Sequence, residues 1–246
     1  VRGVEDGQRV SKRVNYRPTL YNKVNEYTGY KTLDGQHVLP KELDSIKEAK
    51  AWAEQRSNQN ILYGNTQYPY CYISDEYPND VPWDKDKILI VTIDIEVECE
   101  NGFPNPQDAA EPLLSITMKN HQNKKIVVWG LHEFQNNRDD VDYRLCRDED
   151  DLLIKFLDEW RMIYPDIITG WNTEFFDIPY ICNRINNLFG EEFMHKLSPW
   201  NNVFAREVYQ MGRKHQVYTI QGVSALDFYD LYRKFTYTNQ ERYTLD

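Results

Sequence analysis

Lys87-Ile88-Leu89-Ile90-Val91-Thr92-Ile93-Asp94-Ile95-Glu96-Val97 is the stretch on which the fold turns. Its density of β-branched residues predicts a strand, and its apolar start predicts a buried one. Successive side chains of a strand point to opposite faces, so Ile93, Ile95 and Val97 share one face while Asp94 and Glu96 share the other. Two carboxylates held side by side in the most apolar strand of a chain repel each other, and a divalent cation is the usual remedy. An isolated D-x-E also occurs on the solvated face of an ordinary strand, so this spacing leaves both readings open.

Downstream, a loop through Gly102, Pro104 and Pro106 leads to Leu113–Met118 and Lys125–Trp129, a strand pair with its turn near His121-Gln122-Asn123. Asp148 then opens a helix with an acidic first turn and a stripe of Leu152, Leu153, Phe156, Leu157 and Trp160, which Pro165 ends. Residues 166–170 form a short buried strand, and 178–188 a second helix closed by Gly190. Residues 201–211 are expected to be helical, and 217–220 and 224–228 to alternate as paired strands. Strands followed by interleaved helices and strands predict a mixed sheet flanked by helices, an α/β layer architecture.

Upstream, residues 74–87 carry two prolines and a run of acids, which reads as a connection between domains. The expected organisation is therefore a small α+β domain over residues 1–86 and a larger one over 87–246. In the first, Leu43, Ile46, Ala49, Trp52 and Ala53 recur at helical spacing, while Ile61-Leu62-Tyr63 and Tyr70-Cys71-Tyr72-Ile73 read as strands.

A second chemical element is Thr169-Gly170-Trp171-Asn172-Thr173-Glu174-Phe175-Phe176-Asp177-Ile178-Pro179-Tyr180. Here a buried strand ends in glycine and Asp177 stands at the mouth of a helix with Pro179 just inside it. Asp at that place serves equally well as a helix cap. Trp171, Asn172 and Phe176 bring stacking surface and hydrogen-bonding groups to the same loop, which is how splayed bases are held.

Asp94-Ile95-Glu96 resembles the first exonuclease motif of the family B DNA polymerases, and Asn172-x-x-x-Phe176-Asp177 resembles the second. Gly102-Phe103-Pro104, the run Gly222-Val-Ser-x-Leu-Asp-x-x-Asp-Leu-Tyr232 with Lys234-Phe235, and residues 15–56 are similar to the T-even bacteriophage members. The resemblance implies a ribonuclease H-like exonuclease fold and two-metal hydrolysis. Asp94 would bridge two ions (Mg²⁺ or Mn²⁺), Glu96 would bind one of them, and Asp177 would hold the second, largely through water. Phe103, Asn172 and Phe176 would lie near the terminal nucleotides of a single-stranded DNA primer 3′ end. The family's third motif, Tyr-x-x-x-Asp, does not occur after Asp177, and Tyr243-Thr-Leu-Asp246 is one residue short of it. The resemblance therefore implies that the third motif and the rest of the polymerase lie on further sequence, and that this chain alone is a poor nuclease.

Composition narrows the alternatives. Four scattered cysteines form no C-x-x-C pair and suggest neither zinc nor a secreted disulfide framework; a reducing, cytoplasmic setting is expected, in a host cell if the chain is viral. No apolar run is long enough for a bilayer and no signal peptide is evident, so no membrane partner is expected. A net charge of −10 argues against a protein that coats duplex DNA through bulk electrostatics, although a metal-loaded carboxylate site remains compatible with it. Charge is uneven: residues 1–31 carry seven Lys/Arg against three Asp/Glu, whereas 87–246 carry 17 against 26. Two other functions therefore stand beside proofreading. One is a subunit of a divided polymerase, completed by a second chain; the other is a regulatory module that binds RNA or single-stranded DNA through Arg9, Lys12, Arg13 and Arg17.

Overall fold

The computed structural model describes residues 1–57, 61–80, 84–99, 102–210 and 212–236. Tyr243–Asp246 lies outside them. Two compact units result, one from Val1 and residues 12–83, the other from residues 2–11 and 84–246.

The larger unit begins with a hairpin of β1 (Arg2–Glu5) and β2 (Gln8–Ser11). In the smaller unit, β3 (Thr19–Lys23) pairs antiparallel with both β4 (Val38–Glu42) and β5 (Leu62–Tyr63). Against this sheet Leu20, Leu43, Ala49 and Tyr68 form a core with α1 (Ile46–Ser57) and α2 (Tyr68–Glu76). The strand expected at Tyr70–Ile73 is thus helical. Pro69 fits the first turn of α2, where its missing N–H costs nothing, and the N–H groups of Tyr70 and Cys71 bond to the Gln67 carbonyl. Local β preference is a weak force once a helix start is in place.

The larger unit is built on a six-stranded mixed sheet. It contains β6 (Ile90–Val97), β7 (Leu113–Asn120), β8 (Ile126–Gly130), β9 (Val141–Leu145), β10 (Ile167–Thr169) and β13 (Ser224–Ala225), in the order β13-β10-β6-β7-β8-β9. Helices α3 (Glu149–Ile163), α4 (Asp177–Phe189) and α5 (Glu191–His195) supply its apolar cover, and α6 (Phe228–Phe235) follows β13. One continuous core joins Val91, Ile93 and Ile95 of β6 to Ile116, Trp129, Phe156, Trp160, Ile178 and Ile181. The α/β architecture with a mixed sheet and flanking helices is as the sequence predicts, and it is of the ribonuclease H-like exonuclease type.

Residues 201–211 depart from expectation. Val203–Gln210 is strand β11, paired antiparallel along its whole length with β12 (Arg213–Ile220), and Gly212 in the connecting turn has φ +73°. Glycine takes up that left-handed turn without penalty, so hairpin geometry overrides a segment whose helical propensity is only moderate. Ser224–Ala225 does not pair with residues 217–220 but runs parallel to β10.

The β1–β2 hairpin is fastened by its arginines. Arg2 donates to the carbonyls of Pro165 (2.7 Å), Tyr164 and Gly222, and Arg9 pairs with Asp166 at 2.5 Å. Asp166 in turn accepts from the Leu89 N–H, tying the hairpin to the start of the central strands.

Candidate carboxylate site

Strand β6 alternates as its sequence predicts: Val91, Ile93 and Ile95 are buried, and Asp94 and Glu96 are exposed on the opposite face. Asp94 stands across from Thr117 of β7, and Glu96 across from Ser115, with the register shifting just beyond it, between Glu96 and Val97. The neighbouring protein withdraws enough water from Asp94 to raise its pKa above the ordinary carboxylate value.

Strand β10 brings the second element alongside. It pairs with β6 only through Thr169↔Thr92, so the β6 edge beyond that point needs another partner. Asp177 fills the gap: its Oδ1 accepts from the Ile95 N–H at 3.1 Å. The loop between approaches β6 closely, since a Cβ at Gly170 would lie 2.6 Å from the Ile93 carbonyl oxygen and 2.0 Å from Thr173 Oγ1. Only glycine fits there.

Asp177 does not cap its helix. The cap position belongs to Phe176, whose side chain makes no capping bond, and Asp177 is the first helical residue with only 4% of its surface exposed. Burial and then the charge of Asp94 raise its pKa to about 7. Asp94 and Asp177 are therefore electrostatically coupled, and Glu96 shares the Asp94 face. Among the described residues, no group of three His, Cys, Asp or Glu side chains closes up as a metal-ligand set.

The loop residues are held by an aspartate from the Gly222–Tyr232 run. Asp227, at the start of α6, accepts from the N–H groups of Asn172 (3.0 Å), Glu174 (2.9 Å) and Tyr229 (2.9 Å). This fixes Asn172 at φ +60°, a left-handed conformation that Asn tolerates, with its side chain exposed. Its carbonyl accepts from the N–H groups of Phe175 and Phe176, which closes the turn before α4. Phe103, 83% exposed, meets Phe176 with ring centroids 5.2 Å apart, and Phe176 leans in turn on Tyr180 at 5.7 Å. Phe103 and Phe176 thus come together from loops more than seventy residues apart in sequence.

Two neighbours were not legible beforehand. Arg206 of β11 pairs with Glu174 at 2.6 Å, and the rings of Phe175 and His215 meet at 5.3 Å, so the hairpin touches the loop twice. Both depend on reading residues 203–210 as a strand, for which Gly212 was the available signal.

Residues 50–246 match the family model for the exonuclease domain of DNA polymerase family B. The chain belongs to this family. It is 30% identical over 269 residues to the DNA-directed DNA polymerase of Escherichia phage RB69, and 29% identical over 268 residues to that of Enterobacteria phage T4, covering 98% of this chain and 30% of each relative. DNA polymerase 1 of Sulfolobus acidocaldarius is 30% identical over 173 residues, covering 68% of this chain and 18% of the relative. The chain thus spans about 30% of the length of the phage relatives it matches. Family B exonuclease domains depend in general on divalent metal. No helix among the described residues is long and apolar enough to cross a membrane.

Proposed function

We propose that this site hydrolyses the terminal phosphodiester of a single-stranded DNA 3′ end, the proofreading reaction of a polymerase. The supporting observation is Asp177, a buried carboxyl set beside Asp94 on the central strand of a family B exonuclease domain, its pKa raised to about 7. A carboxyl destabilised in this way is one that a cation would relieve. Three carboxylates offer only hard oxygen donors, which suit Mg²⁺ or Mn²⁺. Asp94, Glu96 and Asp177 would hold the metal, which when bound supplies positive charge to meet the phosphate and makes water a better nucleophile.

The chain's own residues define the rest. Ile95 engages one Asp177 oxygen and leaves further acceptor capacity on the carboxyl. Phe103 and Phe176 offer ring faces for the terminal bases, and Asn172, anchored through its backbone by Asp227, offers an amide for hydrogen bonding. Water adds to phosphorus, the bond to the 3′ oxygen breaks, that oxygen leaves with a proton, and the last nucleotide departs as a 5′-monophosphate. The partners are the frayed primer end and the remainder of a polymerase, on the same chain or a separate one. The basic front end offers less for RNA, because Arg9 is paired with Asp166, and Arg17 with Glu42 and Asp44.

Calorimetric titration of Mn²⁺ into the chain and into Asp94→Ala, beside an assay on a 5′-labelled single-stranded oligonucleotide, tests this reading. Binding that disappears in the variant supports it. Equal binding in both proteins, or hydrolysis untouched by Asp94→Ala, overturns it.

A further inference from the structure

Cross-strand register extends the carboxylate face beyond the site. Partners directly opposite in a ladder share a face, so Asp94 continues through Thr117 and Val128 to Tyr143, and Glu96 through Ser115 and Gly130 to Leu145. Over the far end of these rows the segment 131–138 folds back and borders an open cavity of about 560 Å³, walled by Leu114, Val128, Phe134 and Tyr143 with Gln135 and Asn137 among its polar groups. At about 4.8 Å per strand, its floor on β8 is roughly 10 Å from β6.

The cavity is built into the fold. A Cβ at Gly130 would lie 2.3 Å from Tyr143 Oη, so glycine allows that ring to lie against β8, and the hydroxyl is held by the His132 carbonyl. Asn136 Nδ2 donates to the carbonyls of Arg138 (3.1 Å) and Val141 (2.6 Å), which braces the segment. Phe134 meets Tyr143 at 5.4 Å on one side and remains 63% exposed.

We propose that this cavity is a second subsite for single-stranded DNA, in which a base a few nucleotides from the 3′ end stacks on Phe134 and meets the amides of Gln135 and Asn137. The inference rests on the proposed nuclease reading, since the strand's end must sit at Asp94 for its body to cross Thr117 and Ser115. Charge selects the base as the part that enters. Glu133 lines the cavity, Asp139, Asp140 and Asp142 lie close by in sequence, and Arg138 is already paired in two places with Asp140, so nothing here attracts phosphate. Stacking on an aromatic face needs no such attraction.

Short single-stranded oligonucleotides carrying 2-aminopurine at successive positions from the 3′ end, titrated with Ca²⁺ as the hard divalent cation into the wild-type chain, Phe103→Ala and Phe134→Ala, test the inference. Phe134 is exposed, so its removal leaves the core intact. The expected result is quenching at an internal position that Phe134→Ala abolishes, with affinity falling roughly 5- to 100-fold and the salt dependence unchanged. If Phe103→Ala weakens binding while Phe134→Ala changes neither affinity nor any internal emission, the subsite is overturned and the nuclease reading stands. If the wild-type chain binds no oligonucleotide, the nuclease reading fails, and the subsite with it.

Discussion

Asp177 and Asp227 are two aspartates at the starts of helices in one unit, exposed by 4% and 5% and both held above the ordinary carboxylate value by burial, yet their partners differ. Asp227 accepts three backbone N–H bonds, from Asn172, Glu174 and Tyr229, so both of its oxygens are engaged. Asp177 receives the Ile95 N–H from across the sheet and faces the charge of Asp94. A buried carboxylate surrounded by amides holds structure together, whereas one set against another carboxylate is destabilised until something positive arrives. Sequence position alone does not separate the two, because each begins a helix.

Removing the satisfied member should cost most. Asp227→Ala orphans three N–H groups around the loop, and we expect a loss of about 5 kcal/mol in urea unfolding together with disorder at Asn172. Amide exchange at Asn172 and Glu174 as slow as in wild type would show that the clamp is dispensable.

Asp177→Asn should have the opposite sign in metal-free protein. The folded-state pKa, about 7, lies above the ordinary value of 3.8, so between these pH values the folded chain keeps a proton that the unfolded chain has lost. Stability from this group is therefore present below pH 4, falls as pH rises through 7, and stays low beyond. The variant should gain up to roughly 4 kcal/mol over wild type above pH 7 and nothing near pH 4. Parallel pH profiles of the two proteins would remove the distinction between the aspartates.

Saturating Mn²⁺ should reverse that order, stabilising wild type and leaving Asp177→Asn little changed. The smallest effect is expected from Asp94→Asn, which removes the neighbouring charge but not the burial. The Asp177 titration, followed by carboxyl ¹³C shifts, should move down without returning to the ordinary range.

The members of the candidate site were legible in the sequence, but not this contrast. The period of two in Ile93–Val97 placed Asp94 and Glu96 on one face, whereas Asp177 was joined to them only by the resemblance to the second exonuclease motif, its position at a helix start fitting a cap equally well. Hidden were the interactions that depend on pairing between distant segments: the Ile95 N–H that takes Asp177, the Asp227 clamp, and the Phe103–Phe176 contact. Local preference also misled at Tyr70–Ile73, where Pro69 began a helix beneath a β-forming run, and at residues 203–210, where the long partner strand and Gly212 outweighed a helical reading.

The arginine clamp of the β1–β2 hairpin has a consequence for biosynthesis. Arg2 is bonded to the Gly222 carbonyl, 220 residues later in the chain. At about 5 to 20 residues per second, translation would present this hairpin some 10 to 40 seconds before its last acceptor exists. Strands made this early relative to their acceptors are locked late, and until then the charged ends of Arg2 and Arg9 keep a waiting strand edge soluble.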